Sequence, residues 1–73
     1  MRVFYKVRFC FIDRDKYNDV DMWIQGRKLL YQALQLAMKH NNDITDIHIS
    51  YQTYLPENLW EVMPSVWIKR GDE

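Results

Sequence analysis

Aromatic and basic side chains alternate on one face of a strand near the start of the sequence. Residues 2–12 read RVFYKVRFCFI, and their even positions place Phe4 between Arg2 and Lys6, with Arg8 beyond. Sheets that bind single-stranded nucleic acid stack bases on aromatic rings and contact phosphates with cations. The chain has ten basic and ten acidic residues, so no overall field attracts phosphate. We therefore expect this face to contact protein. The alternatives are a nucleic-acid surface and a solvated strand face on which lysine and arginine discourage edge pairing.

Other groups that could bind a metal or perform catalysis have the wrong spacing. Cys10 is the single cysteine, and His40 and His48 do not form a ligand pair. The aspartates near the first strand lack the central glycine and distal glutamate of a calcium loop; they are Asp13, Asp15, Asp19 and Asp21. No catalytic triad or glycine-rich phosphate loop is present. We expect no enzyme activity, no cofactor and no metal.

Arg27 is the unusual residue of the predicted helix. A helical wheel places it in the stripe that faces the sheet, between Trp23 and Leu34. An arginine there has to extend its guanidinium to solvent, pair with a carboxylate or stack on an aromatic ring. We expect a structural role, with a contact to an acidic group of a partner as the alternative.

Three strands and one helix are predicted to position these residues. The odd positions of the first strand form its core face; they are Val3, Tyr5, Val7, Phe9 and Phe11. A helix is predicted from Val20 to His40, capped by Asn18 or Asp19. Alternation predicts a second strand over residues 43–55 and a third over 59–70, in which Pro64 marks a bulge or an edge.

The order of elements predicts one α+β domain over residues 1–73, a β-α-β-β chain with a three-stranded sheet and one long helix on one face. Two strand orders are open. The first strand runs parallel beside the second, or the third inserts between them and is antiparallel to both. Residues 56–63 are predicted as a turn followed by a strand, with one or two helical turns as the alternative.

The helix carries more apolar surface than one sheet contact needs. A second stripe lies beside the one that faces the sheet, and it contains Met22, Leu29, Ala33 and Leu36. Loops could cover this stripe, but we expect it to bind a partner, because large apolar patches are uncommon on monomers. Arg27 would join that contact in its alternative role.

The sheet face opposite the helix has no cover from its own chain in this arrangement. We expect it to be a second contact surface for protein, formed by Phe4, Lys6, Arg8, Tyr54 and Trp67. Protein interfaces favour such a mixture of arginine, tyrosine, tryptophan and phenylalanine.

In architecture the predicted chain resembles half of a ferredoxin-like domain, and also the dodecins, which are small flavin-storing oligomers, although no motif supports flavin. In type it resembles small phage or mobile-element proteins that bind and block a host enzyme. We expect a cytoplasmic protein-binding module that self-associates as a homodimer and acts as an inhibitor or adaptor. The alternatives are a nucleic-acid-binding dimer and a small-ligand-binding oligomer. The lone Cys10 and the interruption of the first apolar run by Lys6 and Arg8 favour the cytoplasm, with no membrane contact.

Overall fold

The computed structural model describes residues 3–12 and 19–70 and has a small α+β fold. Its elements in chain order are β1 (Phe4–Phe11), β2 (Val20–Ile24), α1 (Arg27–His40), β3 (Ile44–Gln52), β4 (Trp60–Met63) and β5 (Val66–Arg70). The strands form one antiparallel sheet of five strands in the order β3-β1-β2-β5-β4. The α+β class is confirmed, whereas the three-stranded β-α-β-β arrangement is wrong, because two predicted elements each contain an additional strand.

Strand β1 organises the sheet, since it pairs antiparallel with β2 on one side and with β3 on the other. Strands β2 and β3 therefore run parallel to each other, and α1 connects them across β1. Both predicted strand orders are wrong, because each makes β1 parallel to the strand that follows the helix. The extra strand β2 reverses the chain once before the helix begins, which makes that pair antiparallel.

The hydrophobic core lies between α1 and one face of the sheet. Its buried side chains come from four elements, and they are Val7, Phe9, Ile24, Leu30 and Val66. Full burial of each aliphatic or aromatic side chain contributes roughly 1.5–3 kcal/mol. The odd positions of β1 thus face the helix as predicted, although Val3 is exposed at the end of the strand.

The predicted helix is wrong over its first turns. Residues 20–24 form β2, in which Val20, Met22 and Ile24 lie opposite the odd, core-facing positions of β1. Gly26 then adopts a φ of 108°, a conformation that glycine reaches easily and other residues rarely do. The helix starts after Gly26, with no side-chain cap. The predicted cap Asp19 instead precedes β2, and the other predicted cap, Asn18, lies outside the described residues. Within those residues, no helix is long and apolar enough to cross a membrane.

The predicted third strand is two strands joined by a tight turn. Pro64 and Ser65 form this turn, and Ser65 has a φ of 70°. Pro64 therefore ends β4 instead of causing a bulge within a longer strand. The helical alternative for residues 56–63 is wrong, because residues 60–63 are strand and residues 56–59 are irregular.

The connection between β3 and β4 spans the sheet, since these strands form its opposite edges. The edges lie roughly 19 Å apart at about 4.8 Å per strand spacing. Residues 53–59 form this connection and would reach roughly 23 Å if fully extended. Its half-buried Leu55, Pro56 and Leu59 indicate that it packs on the domain. The predicted turn therefore does not join two neighbouring strands.

Candidate functional site

The sheet face that lacks a helix brings together most of the residues predicted for it. Phe4, Lys6 and Arg8 of β1 share this face with Trp67 of β5, whereas Tyr54 lies in the connection after β3. Phe4 is only 3% exposed, and its ring packs edge-on against Trp67 with a centroid distance of 5.7 Å. Phe4 is thus a packed residue of this face, not an exposed stacking platform.

Trp23 fills the centre of the same face. It is 2% exposed, and its indole Nε1 donates a hydrogen bond of 2.8 Å to Oε1 of Gln52. The ammonium of Lys6 lies 5.4 Å from the centroid of the Trp23 ring, within the range of a cation–π interaction. The sequence pattern does not reveal Trp23 as a residue of this face, because it also fits the helical period.

Arg8 is paired within the protein. Its Nε and Nη2 donate hydrogen bonds of 2.7 and 3.0 Å to the two carboxylate oxygens of Asp21, on the neighbouring strand. The hydrogen bond and the charge of Asp21 raise the pKa of Arg8. Because the Asp21 carboxylate offsets the charge of the guanidinium, Arg8 attracts an external phosphate less strongly.

A shallow groove of about 340 Å³ lies beside this pair, and it mixes charges of both signs. Its lining residues are Lys6, Arg8, Cys10, Asp19, His48 and Ser50. Burial, with smaller contributions from Asp19 and Asp46, raises the pKa of the Cys10 thiol. The thiol is therefore held in its protonated, weakly nucleophilic form. The described residues that line the groove include no phenylalanine, tyrosine or tryptophan on which a base could stack.

The helix residues predicted to bind a partner are divided between several environments. Met22 belongs to β2 and packs on the core, and so do Leu29 and Ala33 on the helix. Leu36 is exposed. Arg27 is the first residue of α1. It is exposed and therefore lies outside the stripe that packs on the core. A hydrogen bond with the Tyr5 side chain raises the pKa of Arg27.

An exposed strip of large side chains instead follows the opposite flank of α1, beside the edge strand β3. Exposure reaches 72% for Tyr51, 64% for Met38, 57% for Tyr31 and 48% for Ile49. We call this strip the edge surface; it consists of Arg27, Tyr31, Met38, Ile49 and Tyr51.

Local contacts hold one end of the edge surface together. The rings of Tyr5 and Tyr51 lie 5.2 Å apart between centroids, directly opposite each other on β1 and β3. Tyr31 and Tyr51 are also near enough to Arg27 to interact with its charge. The alternation of β3 predicts that Ile49 and Tyr51 face the helix. It does not predict that β3 is an edge strand, and this edge position is what leaves both side chains exposed.

An open depression of about 540 Å³ lies at the other end of the edge surface, where the helix ends and β3 begins. Its lining residues are Met38, Asn41, Asn42, Ile44, Thr45, Asp46 and Ile47. The lining mixes apolar and polar side chains, and the Asn41 amide nitrogen donates a hydrogen bond to the Ala37 carbonyl within the chain.

The two sheet edges differ in how well they resist pairing with another strand. Strand β4 is short, bulged between Glu61 and Met63, and followed by Pro64. These features discourage edge-to-edge association. Strand β3 runs from Ile44 to Gln52 with no lysine, arginine or proline, and among the described residues it pairs only with β1. Its single irregularity is near Thr45, so Asp46–Gln52 remains a regular strand available to a partner.

Comparison with known proteins supplies no template for these surfaces. No family model matches the chain, and no curated protein or solved structure matches it either.

Proposed function

We propose that the protein is a protein-binding module of the cytoplasm that self-associates and acts as an inhibitor or adaptor by covering part of a partner protein. The observation that carries the proposal is the edge surface, an exposed strip of aromatic, aliphatic and arginine side chains beside β3, an edge strand that pairs only with β1 among the described residues. The half-buried free thiol of Cys10 is in keeping with a reducing compartment. No catalytic step is part of the proposal.

The composition of the edge surface supports protein binding. Tyrosine, arginine and methionine are enriched in interfaces, and tyrosine and arginine are frequent among the residues that dominate binding energy. Tyr31 and Tyr51 lose little conformational freedom on binding because each side chain has only two rotatable angles. The adjacent edge of β3 adds backbone donors and acceptors, which bind extended partner strands.

The nucleic-acid alternative has weaker support. Phe4 and Trp23 are buried, so their faces are not available to stack with bases. Arg8 is paired with Asp21, and Lys6 lies over Trp23. A small-ligand oligomer could use the groove of about 340 Å³, which is lined by charges of both signs, or the depression of about 540 Å³, but both are open to solvent.

The experiment is affinity capture from the native host with matched variants. Wild type, Tyr31→Ser with Tyr51→Ser, and Val62→Ser are immobilised, and retained proteins are identified by mass spectrometry. Val62 is an exposed apolar residue of the other edge and serves as the control. We expect a host protein that binds wild type and the control but not the tyrosine variant, and that binds again when purified.

Nucleic acid is tested in parallel with single-stranded DNA and RNA at physiological salt. Tight binding by wild type that Lys6→Glu with Arg8→Glu abolishes would replace the proposal with the nucleic-acid alternative. Retention of the same host proteins by wild type and the tyrosine variant would exclude the edge surface as the binding site.

A further inference from the structure

We propose that the occupant of the β3 edge is a second copy of the chain, paired antiparallel about a two-fold axis at Ile49. This inference rests on the proposed function and names the partner and the register of its self-association. Each copy would extend the other's five-stranded sheet through β3. The two helices would lie on the same side of the joined sheet, one on each flank of the new strand pair.

The position of the axis follows from the regular part of β3. The register irregularity near Thr45 limits regular pairing to Asp46–Gln52, and Ile49 is the midpoint of that run. A two-fold axis perpendicular to the sheet at a residue keeps each face continuous, because every residue then opposes one on the same face. The apolar helix side of one copy thus continues into that of the other.

The side chains brought together by this register are complementary on the helix side. Ile49 opposes Ile49 of the second copy, and Tyr51 opposes Ile47 of the second copy. Aromatic and β-branched residues are favourable cross-strand neighbours. Both Ile49 and Tyr51 are exposed in the single chain, so pairing removes apolar surface from water.

The other side of the strand pair is complementary as well. His48 opposes Ser50, and Asp46 opposes Gln52 of the second copy. The amide oxygen of Gln52 accepts from Trp23 within its own chain, so Asp46 of one copy faces an uncharged side chain of the other. No like charges of the Asp46–Gln52 run face each other directly in this register, and the chain has no net charge to repel a second copy.

The open depression at the end of α1 favours a second copy over a foreign strand. Its apolar lining includes Met38 and Ile47. The two-fold register places Tyr51 of the second copy opposite Ile47, beside this depression. The thioether of Met38 is a favourable neighbour for an aromatic ring. Each copy therefore offers a tyrosine to the depression of the other.

Cysteine cross-linking tests the register. All variants carry Cys10→Ser, so that the introduced thiol is the one that reacts. We expect Ile49→Cys to form a disulfide-linked dimer on mild oxidation, because opposing residues of antiparallel strands have Cα atoms about 4.5–5.5 Å apart, as a disulfide requires. Val62→Cys on β4 is the matched control and should remain monomeric under the same conditions.

A mixing experiment reads the register independently. His48→Cys and Ser50→Cys should each cross-link poorly alone, but a mixture of the two should form the heterodimer. Truncation of Tyr51 to Ala should raise the dimer dissociation constant at least roughly tenfold, as expected for an interface anchor. Tyr54→Ala, an exposed tyrosine outside the interface, should leave it unchanged.

The outcomes separate this inference from the proposed function. Cross-linking through Val62→Cys but not Ile49→Cys would overturn the β3 register while leaving self-association intact. A dimeric wild type with no cross-link at either edge would overturn the register centred on Ile49. A wild type that stays monomeric would remove self-association altogether, whereas binding of a foreign protein would still be decided by the capture experiment.

Discussion

Side chains on the sheet face opposite α1 contact one another within the single chain. Trp23 is covered by Lys6 and hydrogen bonded to Gln52, Phe4 packs on Trp67, and Arg8 is held by Asp21. Two of the cations that gave this face its basic character in the sequence thus have partners in the fold. At the residue scale, the basic and aromatic pattern of β1 is explained by packing within one chain.

Cys10 should react slowly with alkylating reagents at neutral pH. Burial and the nearby Asp19 and Asp46 raise its pKa, so the thiolate forms only at a pH above that of a free cysteine. The rate of alkylation by iodoacetamide, measured against pH, should have its midpoint above that of the same chain unfolded in urea. A midpoint equal to or below the unfolded one would show that the thiol is exposed or activated.

Arg27→Met should leave thermal stability unchanged within error. The guanidinium is exposed at the start of α1 and hydrogen bonded to Tyr5, so its removal leaves no buried charge without a partner. The melt is best measured in the Ile49→Lys background, where association does not add to stability. Leu30→Ala is the positive control and should cost roughly 2–5 kcal/mol. A comparable loss from Arg27→Met would indicate that the arginine is a core residue.

At the scale of elements, the boundary between β2 and α1 is set by Gly26. Its φ of 108° cannot continue a helix, and no atom lies within 4 Å of where a Cβ would be. The penalty for a side chain at this position is therefore conformational and not steric. Whether a substitution here raises or lowers the free energy of unfolding distinguishes a strand–helix junction from a continuous helix.

Gly26→Ala should destabilise the protein by about 1–3 kcal/mol, the usual penalty for a strained backbone conformation. If Gly26 lay within a helix, the same change would stabilise the protein by roughly 0.5–1 kcal/mol. Urea unfolding of wild type and variant at one protein concentration shows whether the free energy of unfolding falls or rises. Lys28→Ala, an exposed position in the first turn of α1, is the control and should change stability little.

The elements that sequence analysis identified are those with a strong local period. The alternation of β1 and β3 and the helical period after Gly26 are properties of neighbouring residues, and they predicted these elements and the core face of β1. Residues 20–24 were assigned to the helix because Val20, Trp23 and Leu30 also satisfy a helical period. What distinguishes a strand from a helix here is a contact between residues distant in sequence, the pairing of Met22 with Val7 on β1.

At the scale of the whole molecule, strand order decides which side chains are exposed. The alternation of β3 predicts that Ile49 and Tyr51 face the core, but β3 is an edge strand and both side chains remain exposed. The exposed helix flank likewise depends on where β3 lies, so the predicted stripe through Leu29 and Ala33 turned out to pack on the core. No local pattern contains this information, because it arises from pairing between distant segments.

Sedimentation equilibrium of wild type beside Ile49→Lys and Val62→Lys tests self-association through β3 most directly. Ile49 and Val62 are exposed apolar residues of opposite edge strands, 48% and 57% accessible, so either lysine is compatible with the fold, which circular dichroism verifies. In the proposed dimer of Ile49→Lys, the two introduced ammonium groups would face each other across the axis, and like charges directly opposite are destabilising. At micromolar concentrations we predict a dimer for wild type and Val62→Lys and a monomer for Ile49→Lys. Equal masses for the two variants, or a monomeric wild type, would contradict the account.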